Sequence, residues 1–557
     1  MSIANTKAAA LLTLLALTLG YHLRTWPVVD LILETLFAVI IYRLTLHPLA
    51  SYPGPWLAAA TDWYNIYYCF TGDRHLDFYR LHEKYGSAVR YGPNRVSFRS
   101  ATALADIYGS QANTQKSAVY SAFTHFFTVP ASLTTIDRKA HAFKRRVTSR
   151  ALNPRAVQDL EELILQNVRA LCTALTIPAD PYPLKNNEDP TTEKDPSSTW
   201  GRPHDLTTTI KCLLSDIMGD VTFSRHWNMQ SSPRNRHILS LMAQGTRGIN
   251  LAGHMPTLLK LNLDRLCFPT LTRGVQQFFH LSEEQSSWRA AQPPDTLPHR
   301  DLFASLLDAR DPHSGQGYTP RDLIAEAGFL IIAGTDTTAT TITATLFYLL
   351  HNREAYVRAQ TEVRAAFEDV EDIRIGPVLA GCGFLYACVN EALRLNPPVS
   401  SVLPRQVLEG GLMVGVVDDN DAGGAADRKY FVPEGTDVGV PMYALQRDGR
   451  YWVDPHAFRP ERWLGVDAED GGVTAYAPFG AGRTSCVGKY LAYQEMGIIL
   501  ARLLWLFDMR LDSVHKEDGN KKKGDAAWGR NRRDEFQTRD VFTSSHDGPV
   551  VQFRRRI

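Results

Sequence analysis

The 557-residue chain has almost no charge imbalance, formally +1. Nothing in that balance points to nucleic acid or another polyanion as partner. Cysteine is sparse: seven residues, at 69, 172, 212, 267, 382, 388 and 486, with no CxxC among them. An odd number of scattered cysteines makes no disulfide framework, and the nearest pair, Cys382 and Cys388, lacks a matching Cys or His pair for zinc. The implied compartment is reducing, on the cytosolic side of any membrane. Six of the seven read as small buried apolar residues. There is no internal repeat and no phosphate-binding glycine fingerprint, and a fused flavin domain is not expected. At 44% hydrophobic and 21% charged, the chain is too polar for a multispan membrane protein, yet it can build one large core.

Long apolar runs are confined to the amino end. Ala8 to Leu23 is leucine-rich, and Val28 to Tyr42 is apolar apart from Asp30 and Glu34, one helical turn apart on one face. Each run is shorter than the ~20 residues a span needs. Together, within 8–42, they suit one tilted span or a tight hairpin, with Arg43 and His47 on the cytosolic flank. No small-x-small cleavage site follows, so an uncleaved anchor over residues 1–47 is expected. Residues 48–56, with Pro53-Gly54-Pro55, form a stiff hinge.

The body, 57–557, reads as one mainly α domain with a minor β part. Ala88–Tyr91 and Val96–Phe98 flank Gly92-Pro93-Asn94 as a hairpin, and residues 135 to 400 are mostly helical. Polar surface insertions are expected near 178–204, 416–428 and 516–534.

Cys486 is the most informative residue. It lies in Phe479-Gly480-Ala481-Gly482-Arg483-Thr484-Ser485-Cys486-Val487-Gly488, a glycine-punctuated loop opening into a helix. Glycines permit tight turning and close approach to a flat ligand, and a helix start beside the sulfur favours thiolate. Such a thiolate is a metal ligand or a nucleophile. Four further signals accompany it. Ala333-Gly334-Thr335-Asp336-Thr337-Thr338, a run of poor helix formers, sits inside a long apolar helix from about Arg321 to Leu350. There a threonine hydroxyl can bond a carbonyl one turn back, and an adjacent acid makes a proton relay. Glu391 and Arg394 meet at i,i+3. Arg462, in Phe458-Arg459-Pro460-Glu461-Arg462-Trp463, can complete a Glu-Arg-Arg network with them. His141 to Arg146 gives a helix a basic face.

In this order the signals resemble the cytochrome P-450 monooxygenases across nearly the whole chain. The segment Tyr42 to Leu49 and the hinge resemble the membrane-anchored fungal branch. The resemblance implies a single P-450-type helical domain with small sheets behind an amino-terminal anchor, and haem b with Cys486 as axial iron ligand. Phe479, Gly482, Arg483 and Gly488 would shape the proximal loop. Arg405, His141 and Arg145 would meet the propionates. Ala333 and Gly334 would line the distal pocket, Asp336 and Thr337 would deliver protons, and Glu391, Arg394 and Arg462 would form a structural network. Three positions depart from the usual pattern: Thr484 stands where a basic residue is common, His141 where Trp is common, and Gln446 opens what is often His-Arg-Asp.

The implied function is oxidation of a hydrophobic small molecule, by hydroxylation, epoxidation or a related step, using dioxygen and electrons from NADPH through a separate reductase. The setting would be secondary-metabolite biosynthesis at the endoplasmic reticulum membrane, with the catalytic domain facing the cytosol. Lys139, Lys144, Arg145, Arg146 and Arg150 could present a docking face. A haem-thiolate isomerase or dehydratase, or a non-enzymatic haem sensor, is the alternative. Substrate-pocket segments are expected at Ser117–Ser132, Phe329–Gly334, Val399–Leu403 and Asp540–Ser545.

Overall fold

The computed structural model describes residues 27–176, 200–255, 259–293, 299–312, 314–418, 426–465, 474–512 and 534–556, with Leu297, Arg530 and Arg532. The first apolar run, most of the insertions near 178–204 and 516–534, and the tip of that near 416–428 lie outside these residues.

The first described helix, α1 (Pro27–Ile41), continues into a π-helical turn over Tyr42–Leu46. Among the described residues no helix is long and apolar enough to cross a membrane. Arg90 ties the segment before it to the rest of the domain: its amide donates to Pro53 O at 2.7 Å, and its guanidinium donates to Arg43 O at 2.8 Å.

Helices α2 (Trp63–Thr71) and α3 (Arg74–Tyr85) lead into β1 (Ala88–Gly92) and β2 (Arg95–Phe98). These two strands form the expected antiparallel hairpin, with Ala88 opposite Phe98. Strand β3 (Thr114–Lys116) precedes α4 (Ser121–Phe127), α5 (Arg138–Ala151), α6 (Glu161–Leu175), α7 (Leu206–Phe223), α8 (His237–His254) and α9 (Pro269–Ala290). Next come the long α10 (Pro320–His351), α11 (Arg353–Ala366) and α12 (Gly383–Leu395). Beyond Pro397-Pro398 lie β4 (Arg405–Val407), β5 (Leu412–Asp418), β6 (Ala426–Val432) and β7 (Asp437–Gly439). After the cysteine loop come α13 (Lys489–Leu506), β8 (Phe507–Leu511), β9 (Arg539–Val541), β10 (Thr543–Ser545) and β11 (Val550–Arg555).

The largest sheet runs β1-β2-β7-β4-β3, with β2 and β7 parallel and the other pairs antiparallel. β5 and β6 form the hairpin on which the 416–428 insertion sits.

Helix α10 is the axis of the fold. Apolar residues, alanines and threonines surround it on every side, so it can only be buried. Thr319 and Asp322 close a capping box at its start, and Pro320 occupies its first position, where a missing N–H costs nothing. One apolar cluster joins its carboxyl half to α6, α7, α11, α12 and α13, and another joins its amino half to α8 and α9. Each fully buried Leu, Ile or Phe there contributes about 1.5–3 kcal/mol. The cysteines follow expectation with one correction: Cys69, Cys172, Cys212, Cys382 and Cys388 are buried, but Cys267 is exposed. It ends the four-residue helix Asp264–Cys267 beside exposed Leu263 and Leu266.

Candidate functional site

The cysteine loop, α10 and the start of α5 enclose a large internal cavity. Cys486 and Thr337 both line it, with Ala333, Gly334, His141, Arg145, Arg405, Phe479 and Gly488. Protein surrounds the Cys486 side chain on almost every side, yet the residue keeps accessible surface because one side opens on the cavity. Gly480 and Gly482 take φ of +69° and +63°, conformations natural to glycine. A Cβ on Gly482 would sit 1.9 Å from Tyr108 O. The Cys486 amide donates to Phe479 O at 2.8 Å and closes the loop. Burial pushes the thiol pKa up, while the Gly488 and Lys489 amides and the Arg145 guanidinium pull it down. The dipole argument therefore holds in sign, but burial outweighs it, and thiolate at this position needs a compensating cation.

Cations gather at one rim. Arg405 donates to Thr484 Oγ1 at 2.8 Å and Tyr120 OH at 3.3 Å. Arg145 bonds Ser485 O and, at 3.3 Å, Ser485 Oγ. Lys116 Nζ bonds Ser132 O at 3.1 Å and Leu133 O at 2.5 Å. Among the described residues these three have neutral acceptors and no carboxylate hydrogen-bond partner. Burial and neighbouring Arg405 lower Lys116 to about 7. Burial, with Lys116, Arg145 and Arg405, lowers His141 to about 4, so its imidazole is neutral. Unneutralised cations beside a cavity-facing sulfur are what a planar iron chelate with two carboxylates requires, so the residues fit haem. Arg483 is exposed and lines a second cavity on the same cationic edge, and Thr484 answers Arg405 instead of supplying a charge.

On the facing wall Thr337 Oγ1 donates to Ala333 O at 2.7 Å, the expected bond one turn back. Thr340, Thr341 and Thr345 repeat it at 2.8, 3.0 and 2.8 Å. Asp336 is separated from Thr337: it does not line the cavity. It pairs with Lys211 Nζ at 3.1 Å and accepts from Thr543 Oγ1 at 3.2 Å. Gly334 lines the cavity but also makes room for α7, since a Cβ there would lie 2.2 Å from Met218 Sδ.

The Glu-Arg-Arg network forms and is fully buried. Arg394 reaches the two Glu391 oxygens at 2.8 and 2.9 Å, and Arg462 reaches Oε1 at 3.0 Å. Burial alone would raise Glu391; Arg394 and Arg462 reverse this and hold it below the usual range. Arg394 also binds Gln446 O, Pro455 O and Ala457 O at 2.7, 2.8 and 3.1 Å, tying α12 to the segment before the cysteine loop.

The docking face is corrected. Lys144 is buried, paired with Asp322 at 3.0 Å and Glu326 at 3.6 Å, and Arg145 is turned to the cysteine loop. Only Lys139, Arg146 and Arg150 of that set are exposed. Sequence reasoning missed Lys116 and Tyr108, which no local pattern marks. It also missed Glu495, nine residues after the cysteine. Glu495 lines the cavity 1% exposed, its Oε1 has no hydrogen-bond partner among the described residues, and burial pushes it up to about 8.

Above the rim the cavity is apolar. Phe123, Phe127, Phe278, Phe329 and Phe542 line it with Leu330, Ile332 and Val399, so all four expected segments contribute. Its hydroxyls are already engaged: Thr246 with Met242 O, Ser132 with Glu326, Thr543 with Asp336.

A mainly helical domain with one cysteine sulfur facing a cation-rimmed, otherwise apolar cavity defines a haem-thiolate class of protein. Comparison with known proteins gives the family. The cytochrome P-450 family model matches residues 53–534. The chain is 34% identical over 534 residues to cytochrome P-450 monooxygenase AKT7 of Alternaria alternata, covering 94% of this chain and 96% of that protein. It is 33% identical to apf7 of Gibberella fujikuroi (93% and 96% covered) and 32% identical to atnE of Emericella nidulans (93% and 95%), both also cytochrome P-450 monooxygenases. The chain belongs to the cytochrome P-450 family and is a haem-thiolate monooxygenase.

Proposed function

We propose that the protein oxidises an uncharged, largely hydrocarbon small molecule in fungal secondary metabolism, using haem b and electrons from NADPH delivered by a separate flavoprotein reductase. The observation that carries this reading is that Cys486 and Thr337 line one cavity, whose upper part is walled by phenylalanine and aliphatic side chains. The bound haem supplies activation of dioxygen and insertion of one of its oxygen atoms. Cys486 holds the iron; Arg145, Arg405, Lys116 and neutral His141 hold the carboxylates. Phe479 and the loop glycines fix the sulfur's position, and Arg483 lends the same edge positive charge. Thr337, whose own proton is held by Ala333 O, keeps oxygen lone pairs facing the cavity and can accept and pass on a proton. Asp336 serves as the acid behind it by leaving Lys211 and Thr543. The buried Glu391-Arg394-Arg462 network keeps the cysteine segment rigid.

The amino end supports attachment to the endoplasmic reticulum membrane with the body in the cytosol. Val29, Leu31, Ile32, Leu33, Leu36 and Phe37 of α1 are exposed, and so are Trp63, Tyr67 and Phe70 on α2 and, elsewhere, Leu261 and Leu266. Single exposed apolar residues are ordinary, whereas a cluster marks an interface. Fungal microsomes carrying the chain, supplied with reductase and NADPH and fed a small-molecule extract, are expected to yield products heavier by one oxygen. Cys486→Ala should abolish both these products and the thiolate-type carbon monoxide band; a variant that kept the band would refute the ligand assignment.

A further inference from the structure

Phe542 is the tip of the β9–β10 hairpin. Val541 pairs with Thr543, so Phe542 alone makes the turn. Its φ is +84°, the left-handed region that a bulky residue avoids. Such strain persists only where the surroundings over-determine the backbone, and here they do. The Phe542 amide donates to Asp540 Oδ1 at 3.1 Å. Asp540 is 1% exposed; its Oδ2 accepts the Ser401 hydroxyl and faces Arg74 NH1 at 3.9 Å. The Asp540 amide donates to Gly72 O at 2.9 Å, at the end of α2. Gly72 leaves the room, since a Cβ there would lie 2.8 Å from Arg539 Cβ. On the far side of the tip, Thr543 bonds Asp336 and Thr340 bonds Ser544 O at 3.3 Å, so β10 is strapped to α10.

The strained residue delivers its ring into the cavity. Phe542 lines it opposite Phe123 of α4, ring centroids 5.5 Å apart and planes at 68°. Glycine would make this turn without strain. Phenylalanine keeps the strain and adds a ring to the cavity wall. We infer that Asp540 is a positioning residue: its buried carboxylate locks the strained tip so that the Phe542–Phe123 pair forms a size-selecting constriction in the substrate chamber. The inference rests on the reading of this cavity as the haem and substrate chamber. The ligands it selects are uncharged and narrow enough to fit beside the paired rings, and wider ring systems are held out.

The test uses purified holoenzyme and three iron-binding probes of growing width, imidazole, phenylimidazole and biphenylylimidazole, titrated by the shift of the haem absorption band. Phe542→Gly is expected to bind imidazole as wild type does and biphenylylimidazole about tenfold or more tightly, with no fall in melting temperature because the strain is relieved. Asp540→Ala should lose size discrimination in the same direction while melting lower. Asp540→Asn, whose amide oxygen can still accept from the Phe542 amide, should restore wild-type selectivity. The inference is overturned if Phe542→Gly leaves the ratio of affinities unchanged, or if Asp540→Ala shifts all three probes equally, as a merely structural residue would. A wild-type protein that showed no band shift even with imidazole would sink the haem reading itself and the constriction with it.

Discussion

Replacing Glu391 by glutamine keeps the shape of the side chain and removes one charge and one acceptor. In the structure Glu391 Oε1 accepts from Arg394, Arg462 and the Arg459 amide, and Oε2 accepts from Arg394 Nε and, at 3.0 Å, Trp463 Nε1. A glutamine must turn its NH2 group toward one of these sets. The milder choice places it on the Oε2 side, where two N–H donors, one of them charged, lose their partner with no water to replace it. Each buried orphan costs about 1–3 kcal/mol, and breaking a buried ion pair by removing one partner costs about 3–5 kcal/mol. That is a large share of the roughly 5–15 kcal/mol that holds a domain together. The loss is concentrated on Arg394, which also fixes Gln446, Pro455 and Ala457, so the cysteine segment should loosen first. Urea unfolding followed by circular dichroism should show the drop, and the purified variant should carry little haem. A Glu391→Gln protein with wild-type unfolding midpoint and full haem content would refute the assignment of this network as the clamp on the cysteine segment.

Gly482→Ala should lower the melting temperature and haem content together. The left-handed backbone alone costs about 1–2 kcal/mol, and the new Cβ would strike Tyr108 O, a backbone atom with no side chain to swing away; a variant with wild-type melting and haem content would refute this. Acid should destabilise the protein early. Burial lowers His82 and His546 to about 3, so below the ordinary 6.5 the unfolded chain binds protons that the folded chain refuses. Stability is then present above about pH 6.5 and lost as pH falls toward 3, by up to ~1.4 kcal/mol per pH unit for each histidine. Urea titrations at a series of pH values should show the slope, and His82→Gln should flatten it; equal slopes would contradict the reasoning. Thr337→Ala should leave folding intact, since among the described residues the hydroxyl binds only Ala333 O. It should still consume NADPH while releasing hydrogen peroxide in place of product, and normal coupling would exclude the hydroxyl from proton delivery.

Much of the site was legible because its chemistry is written in local order. The cysteine loop announces itself by glycine spacing, and the cavity-facing stretch of α10 by a run of poor helix formers. The Glu391–Arg394 pair was visible as a pair but ambiguous as to burial, since i,i+3 ion pairs sit on most helix surfaces. Arg462, 71 residues from Glu391, made it a core network. Lys116 shows the opposite case. It lies in a three-residue strand with no motif, and only pairing of β3 with β4 brings it beside Arg405. Asp336 was read as the partner of Thr337 because they are adjacent in sequence. Successive residues on a helix point about 100° apart, and Lys211 on α7 captured the carboxylate.

The sequence by itself therefore determined the class of fold, the sulfur at Cys486 and the cavity hydroxyl at Thr337. These depend on glycine conformations, runs of poor helix formers and short spacings, which are local physics. Only the tertiary structure decided which charges are compensated. Folding buried Lys144 against Asp322 and Glu326, left Lys116, Arg145 and Arg405 with no carboxylate hydrogen bond among the described residues, and carried a strained phenylalanine from the last hairpin into the same chamber. Burial and pairing depend on which distant segments meet, and no local pattern encodes that.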